Sequence, residues 1–146
     1  NLIILWKGFI MVENFGSVLY LVLFLVQLLG FSFYSFLILF NPKKLTADYG
    51  FGESAVPLVR LVGSFVIPIV LIGIYLLFTS IEGAWVYFVL VLLFAIYQLA
   101  YDLLTRMGVV DSSFNVINKT QDTILSIVFI VVNLVILNGL QDKLFL

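Results

Sequence analysis

The stretch VPLVRLVGSFVIPIVLIGIYLLF, residues 56–78, holds a single charge, Arg60, about one turn from its start. A run of that length and polarity fits the roughly 20 apolar residues needed to cross a hydrocarbon layer of about 30 Å. Inside that layer no water is at hand, so each backbone group needs a partner within the segment, and a helix supplies it. The alternating segments of about 10 residues that build a membrane barrel are not present. Ser54 and Pro57 open the run, and Thr79-Ser80 closes it.

Three further runs of the same kind lie outward from it: 15–40, closed by the breaker Asn41-Pro42-Lys43-Lys44, then 84–104, then 123–140. The first is slightly long, which permits tilt. The predicted fold is an all-α, integral membrane four-helix bundle formed by one domain, 15–146. Thr79–Gly83 is a tight turn, so the second and third spans are expected as antiparallel neighbours. The other two connections are long. Residues 41–55 carry Gly50 and Gly52 as turn points, and residues 105–122 carry Asp111-Ser112-Ser113 and Asn115 as turn and cap types. Thr120 or Asp122 is expected to cap the last helix.

Composition agrees. Of 146 residues, 64% are hydrophobic and 10% charged, against roughly 45–50% and about 25% in soluble domains. Seven basic residues against eight acidic ones leave no positive field for nucleic acid. Histidine and cysteine are absent. That excludes His-ligated haem, His- or Cys-bound zinc or copper, iron–sulfur sites, disulfides and any triad that needs a His. No metal and no cofactor is predicted, and no catalytic constellation appears.

The two long loops fall on one side of the membrane. With the helix ends they carry Lys43, Lys44, Arg60, Arg106 and Lys119, against Lys7 and Lys143 on the other side. The excess places loops 41–55 and 105–122 in the cytoplasm and both termini outside. Residues 1–14 stand apart. The segment is apolar but too short to span, and Trp6 with Lys7 suits an interfacial helix. Alternatively residues 1–10 are non-native: Met11-Val12-Glu13-Asn14 looks like a natural start, preceded by Trp6-Lys7-Gly8, whose codons form a purine-rich tract like a ribosome-binding site.

Within a membrane the polar residues are the informative ones. Arg60 near the start of the second span and Asp102 near the end of the third each oppose their helix dipole. An Arg60–Asp102 pair would cancel both penalties. Glu53 competes for Arg60, and Arg106, at i+4, competes for Asp102; otherwise Arg60 snorkels to lipid phosphate and Asp102 meets water. On the same helix Gln98 stacks over Asp102, and Tyr97 over Tyr101. This polar cluster either lines a small cavity, bonds a neighbouring helix or anchors at the interface. Gln27, Asn133 and Asn138 are neutral amides expected to bond between helices, at about 0.6–2 kcal/mol each. Gly30, Ser32 and Ser35 form a small-residue face for close helix packing. Pro68, between Gly63 and Gly73, is expected to kink the second span. Phe31, Phe33, Tyr34, Phe36 and Phe40 are too many to face one way, so some meet lipid or another molecule. Asn118-Lys119-Thr120 matches the glycosylation sequon, which a cytoplasmic loop would not present for modification.

Four spans, Asn41-Pro42, Arg60-Leu61-Val62-Gly63 at the head of the second span, the polar turn from Arg106 to Asp111, and Asp122 opening the fourth together resemble the DoxX-like group of small bacterial membrane proteins, in its uncharacterised branch. The resemblance implies a four-helix membrane bundle in a bacterial inner membrane, serving as an accessory or scaffold subunit; some DoxX relatives are subunits of quinone-linked oxidoreductases. The expected function is therefore a non-catalytic accessory or structural subunit, with the bilayer and other membrane proteins, or a second copy, as partners. Two alternatives stand beside it: a binding or carrier protein for an apolar ligand such as a quinone, isoprenoid or lipid, and the membrane subunit of a quinone-linked oxidoreductase. An apolar cavity of about 300 Å³ or more, open to lipid, would favour the carrier.

Overall fold

The computed structural model describes residues 11–146, so the interfacial and non-native readings of residues 1–10 lie outside the described residues. Six α-helices follow residues 11–17: α1 (Val18–Phe40), α2 (Pro42–Asp48), α3 (Val56–Phe78), α4 (Trp85–Arg106), α5 (Thr120–Gly139) and α6 (Gln141–Leu144). α1, α3, α4 and α5 are long and apolar enough to cross a membrane. By that length and composition the chain is an integral membrane protein with an all-α, four-helix bundle.

Local chemistry sets the helix ends. The Ser17 hydroxyl accepts the Tyr20 N–H at 3.3 Å and starts α1. Asn41 ends α1, and its side chain accepts the Lys44 N–H at 3.4 Å, so α2 begins at once with Pro42 in its first turn. Pro57 occupies the same place in α3, which continues as helix through Pro68 to Phe78. Neither expected cap serves α5. Lys119 holds the capping position without a side-chain bond, and Asp122 lies inside the first turn, engaged elsewhere.

The predicted pairing of the second and third spans needs correction. α3 and α4 run antiparallel through the tight turn, but α3 packs chiefly on α1, and α4 on α5. Aromatic rings fill the centre and keep those two layers apart. Phe24 meets Phe88 at 5.9 Å, and Phe31 meets Phe94 at 5.9 Å and stacks on Phe129 at 5.1 Å. α3 and α4 meet near their turn, where the Tyr87 hydroxyl lies over Gly73; a Cβ there would come within 2.6 Å of it. Gly30 likewise admits the Phe129 ring, which would lie 2.5 Å from an added Cβ. Of the crowded aromatics of α1, Phe31 is buried, whereas Phe33, Phe36 and Phe40 are exposed on the lipid-facing side.

Gln27 and Asn133 are both fully buried, and the Asn133 amide donates to Gln27 Oε1 at 2.6 Å. This is the predicted bond between helices, joining α1 to α5. Asn138 is exposed and makes no such bond among the described residues. Ser35 is buried on α1, while the Ser32 hydroxyl donates back to the Leu28 carbonyl at 2.7 Å.

The end of the bundle that carries the tight turn is closed. Asn14 donates to the Leu76 carbonyl at 3.3 Å and accepts from the Ile81 N–H at 3.1 Å, linking the two sides of the turn. Lys143 donates to the carbonyls of Glu13 and Asn14 at 2.8 and 3.2 Å. Phe15, Ile81 and Leu144 fill the space beneath with no exposed surface. The opposite end, below the two long loops, is open.

Candidate functional site

Because α3 and α4 are pinned together only at the turn, they leave a cleft at their other ends. Its volume is about 600 Å³, inside the roughly 300–1,000 Å³ typical of small-molecule sites. α1 and α5 form the floor through Phe31, Ile38, Leu125 and Phe129, while Val59 and Val66 of α3 and Phe94 and Ala95 of α4 form the walls. Phe51, Leu58, Val62, Tyr97 and Ile117 line it and remain exposed. A mouth into water would expose charged or polar side chains; this rim of apolar and aromatic residues suits hydrocarbon.

The long loops lie over the water-facing end of the cleft and are tied to each other. The Ile117 N–H donates to the Tyr49 carbonyl at 3.1 Å. Lys119 pairs with Asp48 at 3.3 Å and lies 4.8 Å from the centre of the Tyr49 ring. Gly50 has φ +78°, and an added Cβ would run into the Asn115 carbonyl oxygen. Only glycine fits that crossing of the two loops.

Polar groups gather beneath this cover. Tyr34 of α1 donates to Asp122 Oδ1 of α5 at 2.5 Å. The Tyr34 and Tyr49 hydroxyls are 3.5 Å apart. A phenol has one proton, and Tyr34 has given its own to Asp122, so in this long contact Tyr49 donates. Burial first, then the bond to Tyr34 and the Asp122 carboxylate, push the Tyr49 phenol well above its ordinary pKa. The other oxygen of Asp122, Oδ2, is shielded and has no partner.

The four residues singled out on α4, Tyr97, Gln98, Tyr101 and Asp102, all line this cleft. Tyr101 donates to Asp111 of the loop at 2.8 Å. Asp102, buried, does not meet Arg60. It pairs with Arg106 at 3.0 Å, the competitor one turn along, and also accepts from the Thr123 hydroxyl. Thr123 in turn accepts from Arg106 at 3.0 Å, so the three groups lock the end of α4 to the start of α5. Arg60 is exposed and forms no ion pair among the described residues. The reason is the separation of α3 from α4: the cleft occupies the space the expected pair would have spanned. Glu53, the other candidate partner of Arg60, pairs with Lys43 at 3.0 Å.

Sequence reasoning missed Tyr34, Tyr49 and Asp122 as a group. An acid in the first turn of a helix reads as a partner for the helix dipole, and a tyrosine in an aromatic-rich span reads as packing. A signal was present in the unusual concentration of phenols, Tyr34, Tyr49, Tyr97 and Tyr101, near one end of the bundle. Among the described residues no group of three or more His, Cys, Asp or Glu could hold a metal ion. Comparison with protein-family models, curated proteins and solved structures finds no significant match to this chain.

Proposed function

We propose that this protein binds an apolar, lipid-class molecule that enters the cleft between α3 and α4 sideways from the bilayer. The observation that carries the reading is the 600 Å³ cleft with its apolar rim and polar inner end. A site of that kind accepts a hydrocarbon body and orients it by a few polar groups. The walls of such a cavity forgo packing contacts, which favours the carrier alternative over the accessory-subunit expectation. The residues lining the cleft offer no metal cluster, and the role proposed is binding or carriage.

Val62→Trp tests this directly. Val62 is 42% exposed at the mouth, so an indole there blocks entry without disturbing the core. Native mass spectrometry of the wild-type protein released from its own membrane is expected to show a bound lipid-class adduct. Val62→Trp, with an unchanged melting temperature, is expected to lose at least roughly nine-tenths of it, a shift of about 1.4 kcal/mol or more. Equal loading of both proteins would remove the cleft from consideration.

The orientation proposed with it puts the long loops in the cytoplasm of a bacterial inner membrane, following the basic residues around 41–55 and 105–122. Ser112→Cys in loop 105–122 should then resist an impermeant thiol reagent added to intact cells and react once the cells are opened. Ready labelling from outside would invert the topology.

A further inference from the structure

At the loop-covered end of the cleft, one corner, formed by Tyr34, Tyr49 and Asp122, offers acceptors whose donors are already committed. Every proton in the Tyr49–Tyr34–Asp122 chain points toward Asp122: Tyr49 donates to Tyr34, and Tyr34 donates to Oδ1. What the chain leaves unused is acceptor capacity at both of its ends, the Tyr49 oxygen on one side and the shielded, partnerless Asp122 Oδ2 on the other. A buried acceptor without a donor is costly, more so when charged. Lys119 is engaged with Asp48 and Arg106 with Asp102, while Arg60, exposed and unpaired among the described residues, is not one of the residues that line the cleft. The charged residues lining the cleft are therefore two carboxylates, Asp102 and Asp122, against one ammonium already paired outside it.

Resting on the reading of the cleft as a lipid-class site, we infer that its ligand carries a head group that donates hydrogen bonds and bears no negative charge, an alcohol or an amine at the end of an apolar body. Such a head donates to the Tyr49 oxygen, and completes Asp122 Oδ2 once the groups that shield that atom give way. A phosphate, a carboxylate or a bare carbonyl brings only acceptors to that corner, and the charged ones meet Asp122 with like sign. For a ring compound with two redox forms, the same argument selects the hydroxyl-bearing, reduced form over the carbonyl form.

The test compares four probes with one fifteen-carbon isoprenoid body: farnesol, farnesylamine, farnesyl phosphate and the saturated hydrocarbon farnesane. Each is titrated, as a mole fraction of lipid, into wild-type protein in nanodiscs, and bound fractions are read by native mass spectrometry. Farnesol or farnesylamine should bind roughly ten- to a hundredfold tighter than farnesane, the range for a hydrogen bond to a charged group, and farnesyl phosphate should bind more weakly than farnesol. The two donor arms then distinguish an alcohol from an amine as the natural head. Asp122→Asn should lose most of the tenfold or larger preference while binding farnesane as before, and Tyr49→Phe should lose a smaller part. Farnesyl phosphate binding as tightly as farnesol would overturn the inference. So would farnesane matching farnesol, an outcome that leaves the cleft itself standing as an apolar site. Failure of all four, farnesane included, would remove the cleft reading and the head-group inference together. The wild-type comparison decides the matter even where a variant folds poorly.

Discussion

Arg106→Leu is expected to lower stability in detergent by about 2–3 kcal/mol, somewhat below the roughly 3–5 kcal/mol for breaking a fully buried ion pair from one side. The asymmetry of the pair sets the size. The Asp102 side chain is 6% exposed and the Arg106 side chain 34%. Without Arg106 the carboxylate stays buried with Thr123 as its remaining side-chain partner, whereas without Asp102 the guanidinium can turn toward water. Asp102→Leu should therefore cost less, about 1–2 kcal/mol, and the double variant should recover part of the loss through a coupling of about 1–3 kcal/mol. Arg60→Leu provides the control. Arg60 is exposed and unpaired among the described residues, so its removal should fall within about 0.5 kcal/mol of wild type and add to Asp102→Leu without coupling. Thermal unfolding of the wild type and these five variants, the Arg60–Asp102 double included, settles the matter; a coupling between Arg60 and Asp102 as large as that of Arg106 would restore the bridge across the cleft.

Gly30→Leu should destabilise by about 1–3 kcal/mol, the usual cost of forcing volume into a filled core. The Phe129 ring lies where even a methyl group would stand, and it also stacks on Phe31. A leucine would displace the ring, break the stack and raise the floor of the cleft. Gly30→Leu should therefore reduce ligand loading as well as melting temperature, and Gly30→Ala should do both less. A variant as stable as wild type would mean that α1 and α5 do not approach at this point.

The spans were legible because length and hydropathy are local properties, and the observed helices fall within a few residues of the boundaries read from sequence. Gln27 and Asn133 were legible for a related reason: a neutral amide in a span has few ways to satisfy itself except across a helix contact. Arg60 and Asp102 misled because electrostatics along a sequence says which charges seek partners and not how far apart two helices stand. That distance was set by the bulk of Phe31, Phe94 and Phe129, whose meeting in space is a tertiary fact. The tight turn misled in the same way, fixing the direction of α4 relative to α3 at one end while the rings decided the separation at the other. Asp122 was read as a cap because its residue type and position suit one; its real partner, Tyr34, lies 88 residues away along the chain.

The knot of hydrogen bonds at the closed end carries a consequence for how the protein is made. Asn14 leaves the ribosome early, yet it binds Leu76 and Ile81, and its carbonyl waits for Lys143. A chain synthesised from its N-terminus therefore inserts α1, then the α3–α4 hairpin, with the Lys143 bonds at that end still to be made. The α5 part of the cleft floor is also missing at that stage, since Leu125 and Phe129 arrive with α5, as does Asp122. Until then α4 lacks the helix it packs on most, whereas α3 already has α1. The fourth span thus completes the fastening and the binding site in a single step.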